Sequence, residues 1–208
     1  METMSDWFTD AFKAKPLMAI LRGFSRDRTL ELAQAAWSLG IESVEIPIQT
    51  SAAVETLQAV VAAAQAHGHF VGAGTVTSIE RVQQAADVGA AFTVAPGFDR
   101  DVARASRDAG LAHLPGAASA SEIQAAQRFG ATWVKAFPAS VLGTGWFEAM
   151  RGPFPQVRFV ATGGMNARNA AEYLDAGASV VAVGSALGDP AQLELLSGLG
   201  RQQQGEVQ

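Results

Sequence analysis

One lysine of this chain stands where it could act as a nucleophile. Lys135 lies in the apolar segment 131–139, whereas the other two lysines, Lys13 and Lys15, lie in a polar N-terminal segment. Apolar surroundings disfavour the charged ammonium, and a neutral amine attacks carbonyl carbon to form a Schiff base. Lys135 is therefore a candidate nucleophile. The alternative is a structural lysine that reaches a strand edge or pairs with a carboxylate.

A carboxylate in a similar setting is the second candidate. Glu45 stands in the sequence Val-Glu-Ile-Pro at 44–47. Burial raises the pKa of a carboxylic acid and a nearby cation lowers it, so such a group suits proton transfer beside an amine. The alternative is an ion pair with Arg22 or Lys135 that serves stability alone.

Two glycine-containing segments could bind an anion. Thr162-Gly163-Gly164 and Gly184-Ser185 each follow an apolar run. Glycine lets backbone N–H groups approach an anionic oxygen closely, and such groups often bind phosphate at the start of a helix. A Gly-Gly pair alone is common in turns, but two such segments after consecutive strands favour a phosphate site.

The pattern of apolar runs predicts the scaffold. Strands that are apolar throughout are typical of a parallel sheet covered by helices on its faces. Eight alternations of strand and helix predict a compact (β/α)8 TIM barrel; an open doubly wound sheet is the alternative. The predicted strands are 17–21, 41–46, 70–74, 91–94, 111–114, 131–137, 158–161 and 179–183. The predicted helices include 5–13, 26–39, 51–66, 99–109, 166–176 and 190–199, and the segment around Trp146 is expected to be loose.

Local signals mark several helix ends. Gly89, Gly110 and Gly130 each precede an apolar run directly, as glycines that end helices do. The segments Thr77–Glu80 and Ser119–Glu122 match the capping box that begins a helix.

Composition limits the class of protein. The 208 residues are 49% hydrophobic with a net charge of −5 and no cysteine, which predicts a single domain, 1–208, with an N-terminal helix within 1–15 and a polar tail at 201–208. The acidic balance argues against nucleic-acid binding, and the absence of cysteine excludes disulfides and thiolate metal sites. His113 falls within an apolar run and is expected in the core. Without a signal peptide or an 18-residue apolar run, we expect a cytoplasmic protein that does not bind membranes.

The barrel prediction brings the polar residues together, because active sites of this fold lie at the carboxyl ends of the strands. By alternation along its strand, Trp133 shares the side of Lys135 and lies below the amine. The residues expected at these ends are Arg22, Glu45, Gly74, Thr75, Pro96, Gly97, Pro115, Gly116, Lys135, Thr162, Gly163, Gly164, Gly184 and Ser185.

In order and spacing, these residues resemble the class I 2-keto-3-deoxy-6-phosphogluconate/galactonate aldolases. The matching segments are 19–23, 44–47, 72–76, 115–116, 121–122, 134–138, 163–164 and 184–185. The resemblance implies a small (β/α)8 barrel, a homotrimer, and a 2-keto-3-deoxy sugar acid phosphate as substrate. Because the protonated imine is itself the electron sink, no metal or organic cofactor is expected.

The resemblance also implies roles for individual residues. Lys135 would form the Schiff base and Glu45 would shuttle protons. Arg22 and Thr75 would hold the pyruvate end or otherwise orient the substrate. The remaining substrate-binding residues would be Gln49, Pro115 and Thr162, with Gly163, Gly164, Gly184 and Ser185 around the phosphate.

Two positions point to different C4 epimers of the substrate. Gluconate-type members carry an arginine where this chain has Gln49, which favours the galactonate type. Thr162, however, matches the gluconate type, since the galactonate type has valine there. We expect the galactonate epimer, with the gluconate epimer or both as alternatives. Two other classes stay open: a phosphate-binding barrel enzyme in which Lys135 is idle, and a catalytically silent sugar-acid binding protein.

Overall fold

The structure, a computed structural model, describes residues 4–199, so the predicted polar tail at 201–208 lies outside the described residues. Within them, parallel strands form one sheet in the order β5-β4-β3-β2-β1-β9-β8-β7-β6. The strands are β1 (Leu17–Ile20), β2 (Ser43–Pro47), β3 (Phe70–Gly74), β4 (Phe92–Val94), β5 (Ala112–Leu114), β6 (Gly116–Ala117), β7 (Trp133–Ala136), β8 (Arg158–Thr162) and β9 (Val180–Val183).

The two ends of this sheet are halves of one strand. Only Pro115 separates β5 from β6; β5 pairs with β4 and β6 pairs with β7. Proline has no N–H and interrupts a ladder of hydrogen bonds, but the Pro115 carbonyl still accepts from the Lys135 N–H at 2.8 Å. The sheet therefore closes, and the predicted (β/α)8 barrel is confirmed. The fifth strand extends beyond its predicted end at Leu114 and consists of the two parts β5 and β6.

Helices connect the strands around the outside of the barrel. They are α1 (Met4–Ala11), α2 (Arg26–Ser38), α3 (Ser51–Gln65), α4 (Ile79–Asp87), α5 (Arg100–Asp108), α6 (Ala120–Phe129), α7 (Ala139–Leu142), α8 (Thr144–Arg151), α9 (Ala170–Asp175) and α10 (Pro190–Gly198), with a 3-10 helix at Ser185–Gly188. None of the described helices is both long and apolar enough to cross a membrane.

Two sequence predictions about helices were wrong. The stretch around Trp146 is not loose but contains α7 and α8, which Gly143 separates with a φ of 74°. The helix predicted from residue 166 begins only at Ala170. Asn169 Oδ1 accepts from the Asn166 N–H at 2.9 Å, so these residues form a turn ahead of the helix.

The two predicted capping boxes have different outcomes. Ser119 caps α6, and its hydroxyl also donates to Glu122 Oε2 at 2.8 Å, which confirms the second box. The first is wrong by one residue: Ser78, not Thr77, caps α4, because the Thr77 hydroxyl accepts from Arg81 Nη1 at 2.7 Å. The three glycines predicted to end helices all have positive φ values: Gly89, Gly110 and Gly130.

The strands bury both faces. Residues on the outer face pack against the helices, and those on the inner face form a separate apolar cluster inside the barrel. The predicted N-terminal helix joins that inner cluster: Phe8 lies 5.8 Å from Phe92 and Phe12 lies 5.1 Å from Trp133 between ring centroids. Phe92 and Trp133 begin their strands, so the N-terminal segment closes the amino end of the barrel and leaves the carboxyl end for a site.

Candidate active site

A cavity of about 710 Å³ opens at the carboxyl end of the barrel. It brings together most of the residues that the sequence predicted for a site. The predicted residues that line it are Arg22, Lys135, Thr162, Gly163, Gly164, Gly184 and Ser185. Other predicted residues lie next to the cavity lining. Glu45 is buried beside Lys135, and both Gln49 and Thr75 contact Arg22. Pro115 contacts Lys135 through a backbone hydrogen bond, in which the Pro115 carbonyl accepts from the Lys135 N–H.

Lys135 and Glu45 approach each other across the barrel interior. They lie on β7 and β2, which are on opposite sides of the closed sheet. Lys135 Nζ is 3.9 Å from Glu45 Oε2, and the two side chains are 5% and 1% exposed. Strand alternation turns both side chains inward, and the inner cluster below them excludes water from their other side. The amine and the carboxylate are therefore almost completely shielded from solvent and face the cavity on one side only.

The Glu45 carboxylate makes no hydrogen bond to the described residues. Neither of its oxygens has a hydrogen-bond partner there, and the 3.9 Å between Oε2 and Lys135 Nζ is too long for a hydrogen bond. Burial raises the pKa of Glu45, and the charges of Lys135 and Arg22 lower it only in part. A stability-only ion pair, the alternative for this residue, would have shorter and better satisfied contacts. A carboxyl group with a raised pKa is instead suited to exchange protons near neutral pH.

Arg22 belongs to a polar cluster on one side of the cavity. Its Nη1 donates to Gln49 Oε1 at 2.6 Å and its Nη2 donates to Thr75 Oγ1 at 3.1 Å. Gln49 follows β2 and Thr75 follows β3, so the guanidinium turns from the end of β1 toward these two strands. These two contacts fix the direction of the guanidinium, while Arg22 still lines the cavity together with the glycine segments after β8 and β9.

Those glycine segments form the other side of the cavity. Gly163 and Gly164 have φ values of 95° and 76°, which favour glycine. The backbone of this segment is held in place: the Gly163 carbonyl accepts from the Ser140 N–H and the Gly164 carbonyl from Asn169 Nδ2, both at 3.0 Å. The carbonyls are thus occupied by the protein, and Ser185 lines the same side.

Comparison with known proteins identifies the family. The family model described as KDPG and KHG aldolase matches residues 8–196. The chain belongs to this family. It is an aldolase, a carbon–carbon lyase of class I.

Relatives of this aldolase are named for different substrates. It is 41% identical over 162 residues to the 2-dehydro-3-deoxy-phosphogluconate aldolase of Treponema pallidum, covering 77% of this chain and 76% of the relative. It is 34% identical over 175 residues to the 2-dehydro-3-deoxy-6-phosphogalactonate aldolase of Escherichia coli, covering 83% and 84%. A structure of KDPG aldolase from Legionella pneumophila, with pyruvate captured as a covalent carbinolamine intermediate, has a TM-score of 0.79 at 29% identity, covering 90% of this chain and 93% of that one.

The cavity of the aldolase also contains residues that the sequence did not single out. Phe137 places its ring 5.4 Å from Lys135 Nζ. Asp189 caps α10 through its Oδ1, which accepts from the Ala191 N–H at 3.0 Å. Gln192 Oε1 accepts from the Ala167 N–H at 2.9 Å. The Asp-Pro pair at 189–190 is a recognisable helix start, but nothing in the sequence indicated that its cap lines the cavity.

Proposed function

We propose that this aldolase cleaves 2-dehydro-3-deoxy-6-phosphogalactonate to pyruvate and glyceraldehyde 3-phosphate through a Schiff base on Lys135. The observation that carries the proposal is the 3.9 Å approach of Lys135 Nζ to Glu45 Oε2 beneath the cavity. Imine chemistry needs a nucleophile and a group that transfers protons. The Lys135 amine, held away from water, supplies the first, and the Glu45 carboxyl group with its raised pKa supplies the second.

The reaction follows from these two side chains. Lys135 Nζ attacks the C2 carbonyl of the sugar acid, and loss of water gives a protonated imine. Glu45, directly or through a water that it holds, takes the proton of the C4 hydroxyl. The C3–C4 bond breaks, its electrons pass to the imine to give an enamine, and glyceraldehyde 3-phosphate leaves. Protonation of C3 and hydrolysis of the imine then release pyruvate and restore the amine.

The two sides of the cavity suit the two ends of the substrate. We assign the carboxylate of the pyruvate end to Arg22, Gln49 and Thr75, since the guanidinium turns toward the ends of β2 and β3. We assign the phosphate to the backbone N–H groups of the glycine segments and to the Ser185 hydroxyl. Pro115 contributes through its carbonyl, which fixes the backbone of Lys135. The assigned phosphate-binding residues are Gly163, Gly164, Gly184 and Ser185.

Thr162 is compatible with the galactonate epimer despite its resemblance to gluconate-type members. Its hydroxyl donates to the Val160 carbonyl of the same strand at 3.3 Å. The hydroxyl group, which distinguishes threonine from valine, is therefore already hydrogen-bonded within the protein. Thr162 consequently presents to the substrate much the same surface as valine would. The 2-dehydro-3-deoxy-6-phosphogluconate epimer, or both epimers, are the alternatives, and the relatives carry both names.

Borohydride reduction in the presence of pyruvate tests the Schiff base. We expect a stable mass increase that peptide mapping locates at Lys135. Absence of an adduct would exclude this chemistry and favour a barrel enzyme that leaves Lys135 idle, or a silent sugar-acid binding protein. Turnover of the two C4-epimeric 6-phosphates at matched concentration then tests the epimer, and faster cleavage of the gluconate form would overturn the assignment.

Assembly and location stay predictions. The homotrimer is proposed from family resemblance, and light scattering of the purified protein tests it, since a clean monomer would contradict it. A cytoplasmic location is proposed as well. Fractionation of cells that express the full chain tests that location.

A further inference from the structure

Thr75 has an unusual backbone conformation. Its φ is 58°, and it is the one residue other than glycine with a positive φ within 4–199. A β-branched residue is a true outlier in this region. Both neighbours keep backbone hydrogen bonds to the adjacent chain segments: the Gly74 carbonyl accepts from the Ile48 N–H and the Val76 N–H donates to the Val94 carbonyl, each at 3.0 Å. Thr75 is thus a single left-handed residue between two neighbours that retain their backbone hydrogen bonds.

Two arginines hold Thr75 from opposite ends. On the cavity side, Thr75 Oγ1 accepts from Arg22 Nη2 at 3.1 Å. On the other side, the Thr75 carbonyl accepts from Arg81 Nη1 at 3.0 Å, and the same nitrogen donates to Thr77 Oγ1 at 2.7 Å. Arg81 is half-buried in the first turn of α4, outside the cavity. The left-handed conformation therefore has a charge-assisted hydrogen bond on its carbonyl, a stronger contact than a neutral donor would make.

We propose that Arg81 is a positioning residue for the carboxylate end of the substrate. It holds the Thr75 carbonyl, which keeps Thr75 left-handed and its hydroxyl aimed at Arg22. Without Arg81, Thr75 relaxes toward negative φ, and Arg22 loses one of the two contacts that set its direction. Binding of a 2-keto acid then weakens, while the glycine segments around the phosphate are unaffected. The inference rests on the proposed function, since it assigns Arg22 to the carboxylate.

The test measures pyruvate and aldehyde separately. In Arg81→Ala, we expect the pyruvate concentration that gives half-maximal borohydride trapping to rise about 5- to 30-fold. This factor corresponds to about 1–2 kcal/mol, which lies within the usual cost of a strained backbone conformation. In the condensation direction, the KM for pyruvate should rise in parallel and the KM for glyceraldehyde 3-phosphate should stay unchanged. Arg81→Lys, which keeps a charged donor, should recover part of the loss.

Arg104→Ala is the matched control. Arg104 also lies on an outer helix, is 54% exposed, and pairs with Asp101 three residues earlier. We expect no change in either substrate constant. Thermal unfolding of each variant verifies folding, and Arg81→Gln takes the place of Arg81→Ala if that variant does not fold.

The outcomes separate the inference from the proposed function. Absence of an adduct in the wild-type enzyme would overturn both. A normal wild-type adduct with unchanged half-saturation in the Arg81 variant would overturn the inference alone. An equal rise in the constants for pyruvate and aldehyde would also overturn it, because a general structural role would affect both ends of the substrate.

Discussion

Gly74 lies directly against the carboxylate of Glu45. A Cβ at position 74 would overlap with Glu45 Oε1, and the carboxylate fills the space that a side chain would take. The two residues lie on neighbouring strands, with Gly74 paired to Pro47, two residues beyond Glu45. The position of the buried acid is therefore set by the absence of a side chain on the adjacent strand.

Gly74→Ala should displace the Glu45 carboxylate and lower kcat strongly. A shift of about 1 Å in a catalytic group can cost on the order of 100-fold in rate. The control is Gly97→Ala in the loop that follows the next strand, β4, where an added Cβ would meet nothing within 4 Å. Steady-state cleavage rates of the two variants measure the effect. Equal rates in both would show that the position of the carboxylate is not critical.

Lys135→Ala should abolish cleavage and borohydride trapping. Neither Lys13 nor Lys15 lines the cavity, so no other lysine can form the imine there. Lys13→Ala, which removes an exposed lysine, is the control and should keep full activity. Activity assays and mass spectrometry of the trapped protein measure both effects. Residual cleavage with a pyruvate adduct in Lys135→Ala would assign the nucleophile elsewhere.

Glu45→Gln should lower the rate about 10²- to 10⁴-fold, the usual contribution of a general acid–base group. The amide keeps the shape of the side chain but cannot take the proton of the C4 hydroxyl. Glu148→Gln on the surface of α8 is the control. A nearly active Glu45→Gln enzyme would show that another group, or water alone, is the base.

The pH profile of cleavage should report the raised pKa of Glu45. The carboxylate must be ionised to accept a proton, so kcat/KM should fall as the pH falls through that pKa. Because burial raises it, the acid limb should lie above the ordinary glutamic acid pKa of 4.5. The limb should disappear in the residual activity of Glu45→Gln. An identical limb in both enzymes would assign it to a different group.

Ser185→Ala should distinguish phosphorylated from non-phosphorylated substrates. Loss of one hydroxyl donor to a charged acceptor costs about 10- to 150-fold in kcat/KM. The non-phosphorylated sugar acid should hardly be affected, and with the wild-type enzyme it should show a lower kcat as well, since remote binding energy helps to orient the reacting bond. If both substrates lose equally, Ser185 is structural and the phosphate lies elsewhere.

His113 should make the fold sensitive to acid. It is 5% exposed, its Nδ1 lies 2.9 Å from Thr93 Oγ1, and burial lowers its pKa to about 4, with Asp99 opposing the shift in part. The unfolded chain binds this proton near pH 6.5, so stability should be lost as the pH falls from 6.5 toward 4. The loss attributable to His113 is on the order of 2–3 kcal/mol. His113→Asn keeps a nitrogen near Nδ1 but does not titrate, so its Tm should fall less between pH 7 and pH 4.5; equal falls would contradict this.

The sequence alone was enough to predict the scaffold and to single out Lys135 and Glu45, which the structure places 3.9 Å apart. Continuous apolar runs reveal strands buried on both faces, because no alternation with polar residues is needed when neither side meets water. Lys135 and Glu45 stand out because each is a charged residue inside an apolar run. Burying a charge costs free energy, so such a residue indicates either a compensating partner or a function. The core position of His113 and the second capping box were also predicted from local signals, and the structure agrees with both.

Tertiary structure decided what depends on contacts between distant strands. The 3.9 Å approach of Lys135 to Glu45 joins residues on opposite sides of the barrel, and no local pattern encodes which side chains meet across it. The turn of Arg22 toward Gln49 and Thr75 likewise depends on how three strand ends come together. The contact of Arg81 with the Thr75 carbonyl arises because an outer helix packs beside the end of a strand. Sequence patterns report whether a residue is buried, whereas the closure of the sheet determines which residues it meets.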